Sequence, residues 1–297
     1  MRSENSLVIK SAFSIANKIG ADAVLIYADS LDDLIFDERV AKKFDLVLLT
    51  RKRKIDGSDR NKKSLASWTK AVITIPKIQM TRVNLIKIST TLALAQEIIE
   101  PGAKLVFAIG GGDSNLLDMI QHVDTSKESE YIAGKGIAKL SQTLSPELFE
   151  TVLNLSIELA DKGREGKPIG TIFVVGDHEK VMQLSKQMIM NPFKGYDEDE
   201  RNILSSALKE TLRELSAMDG AFIVADDGTI LTAGRYLGAA TDESNLPRGL
   251  GSRHIAAAGI TTLTQAIAFV ISESSGDVRI FRDGKIIMHI EKPPSKK

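Results

Sequence analysis

Residues 218–238 read MDGAFIVADDGTILTAGRYLG, and their pattern decides the fold of the second half of the chain. Two apolar runs, 221–225 and 229–233, flank Asp226-Asp227-Gly228. That predicts a β-hairpin, because glycine accepts the positive φ its turn requires. Just upstream, Ile203, Ala207, Leu208, Thr211, Leu212 and Leu215 recur at helical spacing, which predicts a helix over 199–216. The helix delivers the chain into Asp219-Gly220, so a carboxylate beside a glycine stands at a junction of two rigid elements and can face a cleft.

Working outward, runs 278–281 and 285–290 flank Arg282-Asp283-Gly284 and predict a second hairpin. Between the hairpins a loop bearing Gly and Pro leads into a helix expected over 253–271. Upstream, Leu148, Val152, Leu155 and Leu159 predict an amphipathic helix from Pro146 to about Lys162, ended by Gly163. A buried strand over 170–176 follows. The first ~125 residues alternate short apolar strands (23–27, 46–49, 71–75 and 104–109) with helical patterns, one of them 83–99 closed by Pro101-Gly102. This predicts an α/β fold whose N-terminal domain is an open parallel sheet of the flavodoxin-like sort. Ser, Lys, Glu and Gly dilute the apolar pattern after Asp124. The expected organisation is an α/β domain over 1–125, a linker over 126–144 and a second domain over 145–297.

Composition limits the function. At 297 residues with 43% apolar content the chain has material for two cores. Lys plus Arg equals Asp plus Glu at 39 each, so no global field draws it to nucleic acid or an anionic membrane, and any phosphate site must be local. The absence of cysteine removes disulfides, thiolate metal sites and a cysteine nucleophile, and fits a reducing compartment. The N-terminus is polar, and no apolar run approaches the ~18 residues of a membrane helix. The expected location is the cytoplasm.

Three small motifs can carry chemistry. Asp219 can bind a divalent cation or take a proton from a sugar hydroxyl, with Gly220 letting a phosphate or sugar approach the backbone. It can equally be an aspartate ending a helix before a turn. Leu246-Pro247-Arg248-Gly249-Leu250-Gly251-Ser252-Arg253-His254 runs into an alanine-rich helix, whose free amides, with Arg248, Arg253 and the Ser252 hydroxyl, suit a triphosphate. The alternative is Ser252 as an ordinary N-cap beside solvated arginines. Ser272-Glu273-Ser274-Ser275-Gly276 closes the expected 253–271 helix. Glu273 can then reach a site only if the fold returns that end to it. Gly110-Gly111-Gly112-Asp113-Ser114 lacks the spacing of a dinucleotide or lysine-bearing phosphate loop and reads as a turn. The basic run Arg51-Lys52-Arg53-Lys54 with Arg60, Lys62 and Lys63 contains no aromatic residue and reads as a solvated loop rather than a nucleic-acid site.

In order, Asp219-Gly220-Ala221, Gly234-Arg235-Tyr236-Leu237, Gly251-Ser252-Arg253-His254 and Ser272-Glu273 resemble the diadenylate cyclase (DAC) domain, which makes cyclic di-AMP from two ATP. The segment from Gly163 through Gly170-Thr171 to Val175-Gly176-Asp177 resembles that family's opening segment. The N-terminal half resembles the archaeal type of the enzyme, with a domain similar to the C-terminal domain of pyruvate kinase and a regulatory role. The resemblance implies a mixed β-sheet flanked by helices over 145–297. It implies that Asp219 assists the attacking 3′-hydroxyl and binds Mg²⁺ or Mn²⁺ with Glu273, and that Gly220 and Ala221 pass close to sugar and phosphates. Gly234 and the Leu237 backbone are expected near adenine, and Gly251, Ser252, Arg253, His254 and Ser272 around the phosphates. One departure stands out: the family's motif continues with arginine after the histidine, whereas here Ile255 follows, leaving Arg248 or Arg235 to substitute. The resemblance also implies that one domain is half a site, so that a homodimer or larger homo-oligomer is required. A nucleotide sensor of the same fold, binding ATP or cyclic di-AMP with little turnover, is the alternative.

Overall fold

In the computed structural model the strands form two separate mixed sheets. The structure describes residues 2–30, 43–51, 69–111, 116–127, 143–164, 169–239 and 247–292. The basic residues 52–63, Gly112, Asp113 and Ser114, residues 128–142 of the expected linker, 165–168 of the opening segment, and Leu246 lie outside the described residues. The chain divides into unit 1, Met1–Ile132, and unit 2, Ala133–Lys297.

Unit 1 begins with α1 (Arg2–Ile19), which buries Ile9, Ala12, Phe13 and Ala16 on one stripe. There follow β1 (Ala23–Tyr27), β2 (Asp45–Thr50), β3 (Ala71–Thr74), α2 (Arg82–Ala95), β4 (Lys104–Ile109) and β5 (Met119–Asp124). The Thr81 side chain caps α2 by accepting the Asn84 amide at 3.1 Å. The sheet order is β3-β2-β1-β4-β5, with four parallel strands and β5 antiparallel to β4. Strand β1 is buried along its whole length, as parallel strands covered on both faces must be. Two expectations need correction. The sheet is mixed rather than wholly parallel, because β5 runs antiparallel to β4 at its edge; the partly exposed sequence Met-Ile-Gln-His-Val-Asp carries no periodic apolar signal that would mark it. Its described strand order also differs from the 2-1-3-4-5 order of flavodoxin-like sheets.

Unit 2 opens with α3 (Pro146–Lys162). Ser145 accepts the Leu148 amide at its start, Pro occupies the first turn, and Gly163 at φ 59 stops it. There follow β6 (Thr171–Val175), α4 (His178–Gln183), β7 (Ser185–Gln187), α5 (Lys209–Leu215), β8 (Ala221–Val224), β9 (Ile230–Leu237), α6 (Ser252–Leu263), β10 (Ile267–Ile271), β11 (Val278–Arg282) and β12 (Lys285–Ile290). The sheet order is β12-β11-β10-β6-β8-β9-β7, and among the described residues β6–β8 is its one parallel pair. On one face Ala257, Ala258 and Ile260 of α6 cluster with Ile172, Val174, Ile223, Ala268 and Val270. Alternate positions send Phe173, Phe222 and Phe269 to the other face, where Phe149 of α3 meets Phe269 at 5.5 Å between centroids.

The structure breaks two predicted helices. Residues 199–216 form 3₁₀ turns at Asp199–Arg201 and Ser206–Leu208 before α5. The Ile203 amide donates instead to the Gly228 carbonyl at 2.9 Å and Asn202 Nδ2 to the Asp227 carbonyl at 3.1 Å, which ties the segment to the first hairpin's turn. The helix expected over 253–271 ends at Leu263, and Ile267–Ile271 is a fully buried strand. A short, uninterrupted apolar run has the same composition in either state.

Candidate active site

The sheet topology collects the motifs. Strands β6 and β8 run parallel, so their first residues share one edge, with Ile172 opposite Ala221. Strand β10 runs the other way and finishes at that edge, Ile271 opposite Thr171. Gly170, Asp219-Gly220 and Ser272-Glu273 therefore meet, although they are far apart in sequence. A helix over 253–271 would have given Glu273 no such return.

Arg253, in the first turn of α6, joins them. Its Nη1 donates to Glu273 Oε2 at 3.0 Å, and its Nη2 lies 3.6 Å from Asp219 Oδ1. Asp219 Oδ1 also accepts the Gly220 amide at 3.0 Å. The two carboxylate side chains are 84% and 64% exposed. Ion pairs so open to water contribute little to stability, so this arrangement favours a role in binding. Two glycines make it sterically attainable. A Cβ on Gly170 would sit 2.8 Å from Arg253 Nη1 and 2.9 Å from Glu273 Cβ, and one on Gly220, at φ 97, would sit 2.7 Å from the Arg235 nitrogen.

A cavity of about 410 Å³ opens beside this cluster, lined by Gly251, Ser252, Arg253, His254, Ser272 and Glu273 with two neighbours. Its size falls within the usual range of ligand sites. Gly251, not Ser252, is the N-cap of α6, and no side chain caps it. The helix's first amides and the exposed Ser252 hydroxyl are thus available to an anion. Ser272 Oγ is 3.3 Å from Ser274 Oγ and accepts the Ser275 amide at 3.3 Å.

His254 is buried, 5% exposed. Burial, reinforced by the Arg279 charge, pushes its pKa down to about 4, so the imidazole is neutral at pH 7. Its Nε2 lies 3.3 Å from Arg279 Nη1, and its ring 6.1 Å from that of Phe281. Asp277 receives Arg279 Nη2 at 3.1 Å, His289 Nε2 at 3.0 Å and the Lys292 amide at 3.1 Å. Burial opposes ionisation of Asp277, but His289, the Lys292 amide and Ser275 prevail and hold its carboxyl below the usual range. No local sequence signal marked Arg279, Asp277 or His289.

The remaining candidates lie elsewhere on β9. Gly234 and Leu237 are buried and do not line the cavity, and Leu237 pairs with Ser185 of β7. The Arg235 guanidinium is spent on structure, donating to Ser185 Oγ at 2.8 Å, the Ser185 carbonyl at 2.6 Å and the Met182 carbonyl at 2.9 Å. Arg248 is exposed and Ile255 half-buried. Among the described residues no cluster of three or more His, Asp or Glu is placed to hold a metal. Asp219 and Glu273, two hard oxygen donors about one cation, fit Mg²⁺ or Mn²⁺ held jointly with a ligand's phosphates rather than a closed protein cage. No described helix is long and apolar enough to cross a membrane.

Residues 158–286 match the DAC family model, "DisA bacterial checkpoint controller nucleotide-binding", and residues 4–130 match "Probable sensor domain DacZ_P". A protein of Methanocaldococcus jannaschii named diadenylate cyclase is 39% identical over 203 residues, 67% of this chain and 63% of the relative. One of the same name from Haloferax volcanii is 35% identical over 201 residues, 67% of this chain and 72% of the relative. The match to the first thus spans just under two thirds of its length. Among solved structures, a hypothetical membrane spanning protein from Bacillus cereus is 22% identical, with 52% of this chain and 68% of that chain covered at a TM-score of 0.39. DacA from Staphylococcus aureus is 22% identical, with 49% and 87% covered at a TM-score of 0.33. Neither likeness adds to the assignment, which rests on the two archaeal sequences. On their account the chain belongs to the diadenylate cyclase family.

Proposed function

We propose that the chain is a diadenylate cyclase, a nucleotidyltransferase that condenses two ATP into cyclic di-AMP and releases two pyrophosphates. The observation that carries this reading is Arg253 set between Asp219 and Glu273 at the mouth of the α6 cavity. An incoming triphosphate offers the guanidinium better-matched acceptors and frees both carboxylates. The Ser252 hydroxyl and the first amides of α6 face the phosphates, and Ser272 supplies a further hydroxyl to the same wall. Gly234 and the Leu237 backbone are proposed for the adenine end.

In each transfer the 3′-oxygen of one ATP bonds to the α-phosphorus of the other. The bond from that phosphorus to the β-phosphate oxygen breaks, and pyrophosphate leaves. Asp219 accepts the hydroxyl proton, and Gly220 and Ala221 keep the backbone close to the sugar. A divalent cation held by Asp219, Glu273 and the phosphates supplies charge neutralisation when bound. Alignment and electrostatics provide most of the acceleration. Two such bonds close the ring, and each domain holds one nucleotide. Two copies must therefore face one another across a two-fold axis. Residues 1–125 are proposed as a regulatory domain resembling the pyruvate kinase C-terminal domain, joined by a linker over 126–144 to the catalytic domain, 145–297.

The test is incubation with ATP and Mg²⁺ or Mn²⁺, following pyrophosphate and cyclic dinucleotide as protein concentration varies. Specific activity should rise with concentration as dimers form. No product with either metal would sink the proposal. Ile255 favours one second reading, a sensor that binds ATP or cyclic di-AMP saturably without releasing pyrophosphate.

A further inference from the structure

His254 carries an unusual combination of contacts. It is 5% exposed, lines the cavity, and its Nδ1 is buried without a hydrogen-bond partner. Buried polar atoms in native proteins are seldom left so, and such an orphan calls for an explanation. Its other nitrogen supplies one. The guanidinium of Arg279 can only donate, so Nε2, 3.3 Å from Arg279 Nη1, must be the accepting nitrogen and carry no proton. In a neutral ring the proton then sits on Nδ1, the atom without a partner.

Arg279 is itself held in place. Strand β11 sets it opposite Val270 of β10, its side chain is 15% exposed, and Asp277 receives its second nitrogen. Asp277 is fixed in turn by His289 and the Lys292 amide. The charged or titratable groups around the imidazole are Arg279 and, further off, Asp277, His289 and Arg253. The first three form one connected chain.

We propose that Arg279, anchored by Asp277 and His289, is a positioning residue that locks His254 in its Nδ1–H tautomer, so that the cavity wall beside Arg253 carries a neutral imidazole held in one orientation when a nucleotide enters. The ligand half of this statement rests on the reading of the cavity as the ATP site; the tautomer half does not. Arg279 thereby does not replace the cation missing at Ile255. It acts through the imidazole, which stays uncharged beside Arg253.

The chain has four histidines, so ring ¹⁵N spectra of the full-length protein are tractable, with His254→Gln assigning the signal. Wild type should show His254 as a single Nδ1–H tautomer near pH 7. An Nε2–H ring or a rapidly exchanging mixture overturns the proposal without any variant. Arg279→Met should release the ring to a mixture, whereas Arg279→Lys, which retains a donor, should largely keep the native tautomer. An unchanged tautomer in a folded Arg279→Met protein overturns the positioning role. Adding a non-hydrolysable ATP analogue should perturb the His254 ring signals of wild type while the Nδ1–H tautomer persists, and a change of tautomer at saturation overturns the lock. In turnover, Arg279→Met should raise KM for ATP by about tenfold with a smaller change in kcat, the size expected for a hydrogen bond to a charged group. If wild type proves inactive, the proposed function fails while the ring spectra still decide the tautomer.

Discussion

Each unit has a cavity at the rim of its sheet, and the two differ in how their polar groups are satisfied. The unit 1 cavity, about 350 Å³, is lined by Asp22, Asp45, Lys70 and Glu100 among others. There Lys70 pairs with Asp45 at 2.6 Å and Asp22 accepts the Lys104 amide at 2.7 Å. In unit 2 one guanidinium serves two carboxylates and a buried imidazole nitrogen has no partner. Volume alone does not separate the two. The groups left over-shared or unmatched are what mark unit 2's rim, rather than unit 1's, as the candidate site.

The sharpest way to break this contrast is to remove one carboxylate from each rim. Asp219→Asn should lower kcat by ~10²–10⁴, the contribution of a positioned base, while Asp45→Asn leaves pyrophosphate release within about twofold. Comparable losses from both would erase the distinction. Next comes Gly170→Ala, which pushes a methyl group against Arg253 and Glu273. A misplacement of this kind should cost on the order of 10² in kcat/KM with little change in melting temperature; wild-type kinetics would show that the Arg253 contacts are unimportant. Arg253→Met should raise KM for ATP by about tenfold or more, the expected loss of charge-assisted hydrogen bonds. Its unfolding free energy should fall by no more than about 1 kcal/mol, as for exposed pairs generally, and Lys70→Met should match it in stability while leaving KM alone.

The last test is a pH dependence of stability rather than of turnover. The folded pKa of His254, about 4, lies below its ordinary value, so between the two the unfolded chain binds a proton that the native state refuses. Stability is therefore complete above roughly pH 6.5 and declines as pH falls toward 4. Between pH 7 and 5 the loss should be about 2 kcal/mol, measured by denaturant unfolding. His254→Gln should flatten that slope, and an unaltered slope would place the titration elsewhere.

Much of the candidate site was legible because its parts coincide with local punctuation. Asp219 precedes a glycine at a strand start, and Gly251-Ser252-Arg253 opens a helix. Glu273 was not placed, since 267–271 is apolar throughout and only the sheet decides that it is a strand. Spacing over 199–216 is truly helical, yet hydrogen bonds to the first hairpin's turn outweigh it for the first half of that stretch. The chain from His289 through Asp277 and Arg279 to His254 left no trace in the sequence. Its members come from different elements, and Arg279 alternates with Val278 and Ile280 like any outward residue of a half-buried strand.

The parallel pairing of β6 with β8 also bears on how the protein is made. Gly170 and Glu273 are about a hundred residues apart, and every connection that brings them together is long-range, the slowest kind of contact to form. A chain growing from the ribosome has no Arg253–Glu273 contact until β10 and the residues just after it have emerged. Unit 1 precedes it in the chain and can complete its own sheet first. Assembly of the proposed nucleotide site thereby waits for β10.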